Sequence, residues 1–97
     1  MTLEDFEKRN FKEGDLVRLK VDEEILNGFI QKDVWCMDGD CGVHIEIIVH
    51  SLEPTTGLFV GFARYFSLKN IIGIHLQKTF DKDALVISHN YMENLLD

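Results

Sequence analysis

Proline is almost missing from this chain: Pro54 is the only one in 97 residues. That excludes a proline-rich linker, and seven scattered glycines exclude a flexible glycine-rich tether. Long apolar runs are missing too, and no stretch approaches the roughly 18 residues that cross a bilayer as a helix. The opening Met1-Thr2-Leu3-Glu4-Asp5 is acidic where a secretory leader needs a basic and then an apolar stretch, so no leader is expected. Cysteine is scarce. Cys36 and Cys41 are the only two, and without a leader they point to reduced thiols in a cytoplasmic protein. Basic charge is outnumbered. Residues 1–50 hold 6 Lys/Arg against 12 Asp/Glu and residues 51–97 hold 4 against 5, giving the net charge of −7. Nucleic-acid binding draws most of its affinity from Lys and Arg on phosphates, so nucleic acid is an unfavourable partner. The acidity suits solubility, and it suits a basic protein partner through steering.

Catalytic signatures are also missing. There is no Gly-x-Ser-x-Gly, no phosphate-cradling loop and no dinucleotide fingerprint. What remains is 45% hydrophobic and 28% charged, a globular balance in one domain spanning residues 1–97.

Thr2 can cap a short helix, with Leu3, Phe6 and Phe11 turned inward, that stops by Gly14. The period then changes to two. Asp15–Val21 places Val17, Leu19 and Val21 on one face, as a half-buried strand does. Asp22-Glu23-Glu24 interrupts it with three carboxylates that belong in solvent. Asn27-Gly28 reads as a second turn or bulge.

Phe29–Met37 and Cys41–His50 flank Asp38-Gly39-Asp40. Asp-Gly fits a two-residue turn in which both central residues need positive φ. That turn sets Met37 opposite Asp40, Cys36 opposite Cys41, Trp35 opposite Gly42 and Val34 opposite Val43. Continued outward, it sets Asp33 opposite His44, Lys32 opposite Ile45, Gln31 opposite Glu46, Ile30 opposite Ile47 and Phe29 opposite Ile48. One face of this ladder is apolar apart from Lys32, and a one-residue slip would scramble it. Cys36 and Cys41 fall at a non-hydrogen-bonded pair, where Cα atoms lie about 4.5 Å apart and a cross-strand disulfide is sterically allowed.

Residues 51–57 read as a loop by composition. Leu58–Phe66 reads as a strand with Leu58, Val60, Phe62 and Phe66 on one face, and Phe59, Ala63 and Tyr65 on the other. Residues 67–70 suit one 3₁₀ turn, and Ile71–Lys78 a strand with Ile72, Ile74 and Leu76 inward. Residues 84–88 suit a short sixth strand, followed by a helical turn carrying Tyr91, Met92, Leu95 and Leu96.

Three segments carry a resemblance. Phe11-Lys12-Glu13-Gly14-Asp15-Leu16-Val17 is similar to the x-x-G-D-x-V opening of many SH3-like barrels. Ile25-Leu26-Asn27-Gly28-Phe29-Ile30 is similar to a bend in Sm-like strands, and residues 66–74 to the last turn and strand of either family. The resemblance implies a mainly β fold: a small SH3-like or Sm-like barrel of about five or six antiparallel strands with a short N-terminal helix. It implies little about function.

Cys36, Cys41 and His44 supply three soft ligands where structural zinc needs four, and the register puts His44 on the other face; no metal or cofactor is expected. His44, Glu46 and His50 alternate onto one strand face beside Asp33, an arrangement that a solvated sheet face also gives. Phe29, Trp35, Ile48, Phe59 and Tyr65 fall on outward faces, and clustered exposed aromatics suggest an interface. A terminal helix covering them is the alternative. The sequence therefore points to a non-catalytic module that binds a protein or itself, with those five residues as the surface and Asp22, Glu23 and Glu24 as an acidic rim. The second reading is a nucleic-acid accessory module using Arg18, Lys20, Arg64 and Lys69 as a local patch.

Overall fold

The computed structural model of the chain describes residues 1–53, 55–80 and 85–88. Helix α1 (Leu3–Lys8) starts as expected: Thr2 Oγ1 accepts a hydrogen bond from the Asp5 amide at 3.1 Å. Phe6 is buried, and Leu3 and Phe11 pack against the same core. The chain then turns at residues 12–15. The Asp15 amide donates to the Lys12 carbonyl at 3.0 Å, the Lys12 amide donates to Asp15 Oδ2 at 2.9 Å, and Gly14 takes φ 91°.

Strand β1 (Asp15–Val21) alternates as its sequence does, with Val17 and Leu19 fully buried. Asp22 and Glu23 form the exposed turn into β2 (Glu24–Met37), where Glu24 already pairs with Val21. The expected break at Asn27-Gly28 is therefore corrected: both lie inside β2. A Cβ on Gly28 would stand 2.7 Å from the Glu46 carbonyl oxygen, so the glycine marks a close approach of β3 rather than a turn.

Strand β3 (Asp40–Glu53) follows the tight turn, with Asp38 at φ 52° and Gly39 at φ 81°. The four pairs nearest the turn hold, from Met37–Asp40 to Val34–Val43. Beyond them the register shifts. Ile30 pairs with Ile45, not Ile47, and Phe29 pairs with Glu46, not Ile48. Residues 31–33 face His44 alone, so the expected Asp33–His44, Lys32–Ile45 and Gln31–Glu46 pairs do not form. The bulge adds two residues to β2. An even insertion leaves the pairs on either side of the bulge on their own faces, because the strand period is two.

Strand β3 runs through Ser51–Glu53, which had read as loop. Those residues pair with β4 (Leu58–Ser67), with register shifts at Val49 and Leu52. A one-turn 3₁₀ helix, η1 (Leu68–Asn70), leads to β5 (Ile71–Thr79). In β5 only Ile74 of the expected inward trio is buried; Ile72 and Leu76 are 65% and 53% exposed, and Ile71 is buried instead. The register shift against β1 at Ile72 exchanges it for Ile71 on the inward face; Leu76 stays on the face of Ile74, opposite buried Val17, and its exposure does not follow from the register. Strand β6 (Leu85–Ser88) pairs parallel to β4, so the sheet is mixed, not all antiparallel. The expected helical turn around residues 91–96 lies outside the described residues.

The described strands form one sheet in the order β5-β1-β2-β3-β4-β6, and no pairing joins β5 to β6. The expectation of a closed barrel gives way to an open sheet. It is nonetheless strongly curled. Laid flat, β4 and β5 would stand about 19 Å apart, four inter-strand spacings. Three residues of 3₁₀ helix rise only about 6 Å. Phe80, directly after β5, packs its ring 5.7 Å from Phe59 on β4. Inside the curl lie Val17, Leu19, Ile30, Val43, Ile45, Ile47, Phe66, Leu68, Ile71 and Ile74, and Phe6 of α1 belongs to the same cluster.

Candidate binding surface

The surface expected from alternation divides in two. Phe29 and Phe59 do lie on the outward face, yet they are only 2% and 3% exposed. Their rings meet edge to face at 4.9 Å, and Phe80 packs against both, at 5.4 Å and 5.7 Å. Their expected exposure is corrected: Phe80 makes them a second small core. Sequence periodicity gave no sign of Phe80, which lies beyond the strand pattern. Ile48 is partly buried and lines a separate cleft with Leu16, His50 and Phe59.

Trp35 and Tyr65 remain in solvent, at 48% and 38% exposure. The strands bring them together across a gap. Trp35 on β2 pairs with Gly42 on β3, and His44, two residues on, pairs with Tyr65 on β4. Gly42 has no side chain, so the Tyr65 ring lies over its backbone. There Tyr65 meets Trp35 at 5.9 Å between centroids and 77° between planes, and His44 at 5.3 Å and 62°. Together with Val34 they line an open cleft of about 590 Å³. Val34 and His44 were missed as members. The Trp35–Gly42 pairing was the signal that could have found His44, since it fixes which β3 side chains share that face.

Along the outward side of β3 the column reads Asp40, Gly42, His44, Glu46. Asp40 accepts from Ser67 Oγ at 2.7 Å and lies 3.8 Å from Lys69 Nζ. Partial burial pushes the Glu46 carboxyl above its ordinary value, and the nearby His44 opposes that shift. The shift at Val49 breaks the alternation before His50, which separates it from His44 and Glu46.

The acidic trio does not rim this cleft. Asp22 and Glu23 form the β1–β2 turn, and Glu24 faces the other side of the sheet. It binds Arg64 at 3.3 Å there, and the Arg64 guanidinium covers Phe66 at 4.8 Å. The four basic residues of the second reading do not gather either. Arg18 and Lys20 lie on β1, Arg64 is taken by Glu24, and Lys69 lies beside Asp40.

Cys36 and Cys41 are bonded to each other, which corrects the expectation of two free thiols. The bond sits one residue from both Trp35 and Gly42, tying the hairpin that carries the cleft. Among the described residues no three His, Cys, Asp or Glu side chains converge as metal ligands, and no helix is long and apolar enough to cross a membrane. No protein-family model, curated protein or solved structure matches the chain.

Proposed function

We propose that the chain is a non-catalytic binding module that takes a basic protein partner on the Trp35–Tyr65 face. One observation carries this reading: an exposed aromatic pair, pre-packed at an open cleft, in a chain of net charge −7. Aromatic anchors dominate interface energetics because they bury much area at little entropic cost. The acidic field adds attraction for a basic partner. The cleft offers rings, a phenol and an imidazole, which serve recognition. The experiment compares wild type with Trp35→Ala by affinity capture with identified partners, and by light-scattering mass. A lost partner, or a changed mass, supports the reading. An unchanged partner set together with an unchanged mass overturns it.

The fold we infer is the small-barrel kind, SH3-like or Sm-like, in a form not closed by hydrogen bonds. The short link between β4 and β5, the curl it requires and the Gly14-Asp15 turn support it. Self-association has its own supporting observation in β5, which stands at the edge of the sheet among the described strands with Ile72 and Leu76 exposed. A mass above about 11 kDa, the chain's own 11.2 kDa, that falls on Ile72→Lys would favour that form of binding.

A further inference from the structure

The walls of the cleft stand at steep angles, 77° between Trp35 and Tyr65 and 62° between His44 and Tyr65. Aromatic faces are the negative side of the ring quadrupole and attract cations held within about 6 Å of the centroid. Parallel rings suit a flat guanidinium, which stacks. Rings set nearly at right angles suit a tetrahedral cation that touches several faces at once. Among the described residues the lining, Val34, Trp35, His44 and Tyr65, contains no carboxylate. A bare ammonium is strongly hydrated and would lose its water there for few acceptors. An alkylated ammonium keeps the charge, needs no acceptor and presents methyl groups to the rings. Glu46 stands just outside, two residues from His44 on the outward side of β3, whereas Asp40 at the other end of that column is already engaged by Lys69. Charge therefore favours a cation at the mouth while the lining favours an apolar shell around it.

We infer that the cleft holds the methylated ammonium of an alkylated lysine side chain on the basic partner proposed above, a step that rests on that reading. The Cys36–Cys41 bond beside Trp35 and Gly42 holds the hairpin in place before the ligand arrives.

Trp35 is the sole tryptophan, so its fluorescence reports on the cleft directly. The intact chain is titrated with a short basic peptide carrying one trimethyllysine. The same peptide is tested with plain lysine, with arginine and with an uncharged tert-butyl analogue of the same shape, and free choline is tested alongside. The trimethyllysine peptide is expected to give a saturable change, with affinity about tenfold above the lysine, arginine and uncharged peptides. Tyr65→Leu is expected to weaken it about fivefold or more, and Tyr65→Phe to bind within about twofold of wild type. If Tyr65→Leu does not fold, His44→Leu removes a different wall and is expected to weaken binding in the same direction. Equal binding of the uncharged analogue, or of plain lysine or arginine, overturns the cage. Choline binding as tightly as the peptide overturns the protein source. No saturable change overturns the inference outright, while loss of the identified partner on Trp35→Ala would still leave the binding module standing.

Discussion

The Tyr65 ring occupies the space where a side chain on Gly42 would begin, so the aromatic cleft exists because its middle pair lacks a Cβ. Gly42→Ala must push that ring aside. Tyr65 is partly in solvent and can swing outward, so the fold should survive. The expected loss is the aromatic contact, about 1 kcal/mol. Denaturant melts should show that loss with an unchanged slope, and the Trp35 fluorescence should change. An unaltered Trp35 signal in Gly42→Ala would mean that Tyr65 does not depend on the glycine.

Gly61→Ala tests the contrasting case. A Cβ there would collide with the carbonyl oxygen of Ile47 on the neighbouring strand, and backbone cannot swing away. The expected cost is at the upper end of overpacking, about 3 kcal/mol. Equal melting midpoints for Gly42→Ala and Gly61→Ala would show that β4 has more room than its pairing with β3 indicates.

Local chemistry made the hairpin tip legible. Asp38-Gly39 carries its own φ requirement, and four pairs follow from it. The bulge at residues 31–33 was not legible, because an insertion of two leaves the hydrophobic pattern unchanged. The same limit applies at β5, where the shift at Ile72 exchanges it for Ile71 on the inward face without altering composition. Phe29, Phe59, Trp35 and Tyr65 look alike by alternation. Which pair is buried is decided by Phe80, arriving from the end of β5, and a periodicity within one strand cannot report that contact. The cysteine pairing was legible as geometry, whereas the expectation of free thiols rested on compartment alone.

Asp15 is 4% exposed, and it fastens the turn between α1 and β1. Its Oδ2 accepts from the Lys12 amide, while Oδ1 is buried with no partner among the described residues. Asp15→Ala removes a hydrogen bond to a carboxylate, and the expected loss is about 1.5–3 kcal/mol. The orphaned Oδ1 argues for the lower end, since alanine also relieves that buried oxygen. Thermal unfolding of the variant checks this, and a midpoint equal to wild type would mean the turn holds without the carboxylate.

The Cys36–Cys41 bond closes a short loop, with five residues of sequence separation. Constraining so short a segment removes about 2 kcal/mol of unfolded-state freedom. Reduction, or Cys36→Ser with Cys41→Ser, should lower stability by about that amount. The first opening should appear as faster amide exchange around residues 34–43. Identical melts with and without reductant would count against a bond that contributes to the fold.

Glu46 gives the pH dependence a definite sign. Burial raises its folded carboxyl above the ordinary value of 4.5. Between that value and the raised one, the native state holds more protons than the unfolded state, so this group makes stability fall as pH rises through the window. Above that window both states are ionised and the native state carries the full cost of the partly buried charge. Glu46→Gln keeps the shape and removes the charge, so it should be more stable than wild type at pH 7, by at most about 0.5 kcal/mol given the solvent that reaches the site. The difference should fade as pH falls through the window and on below 4.5, as wild type becomes protonated in both states. His44 pulls the other way by attracting the carboxylate. Should Glu46→Gln prove less stable than wild type at pH 7, that attraction would outweigh desolvation, and the carboxylate would be a partner of His44 more than a strained neighbour of Phe29.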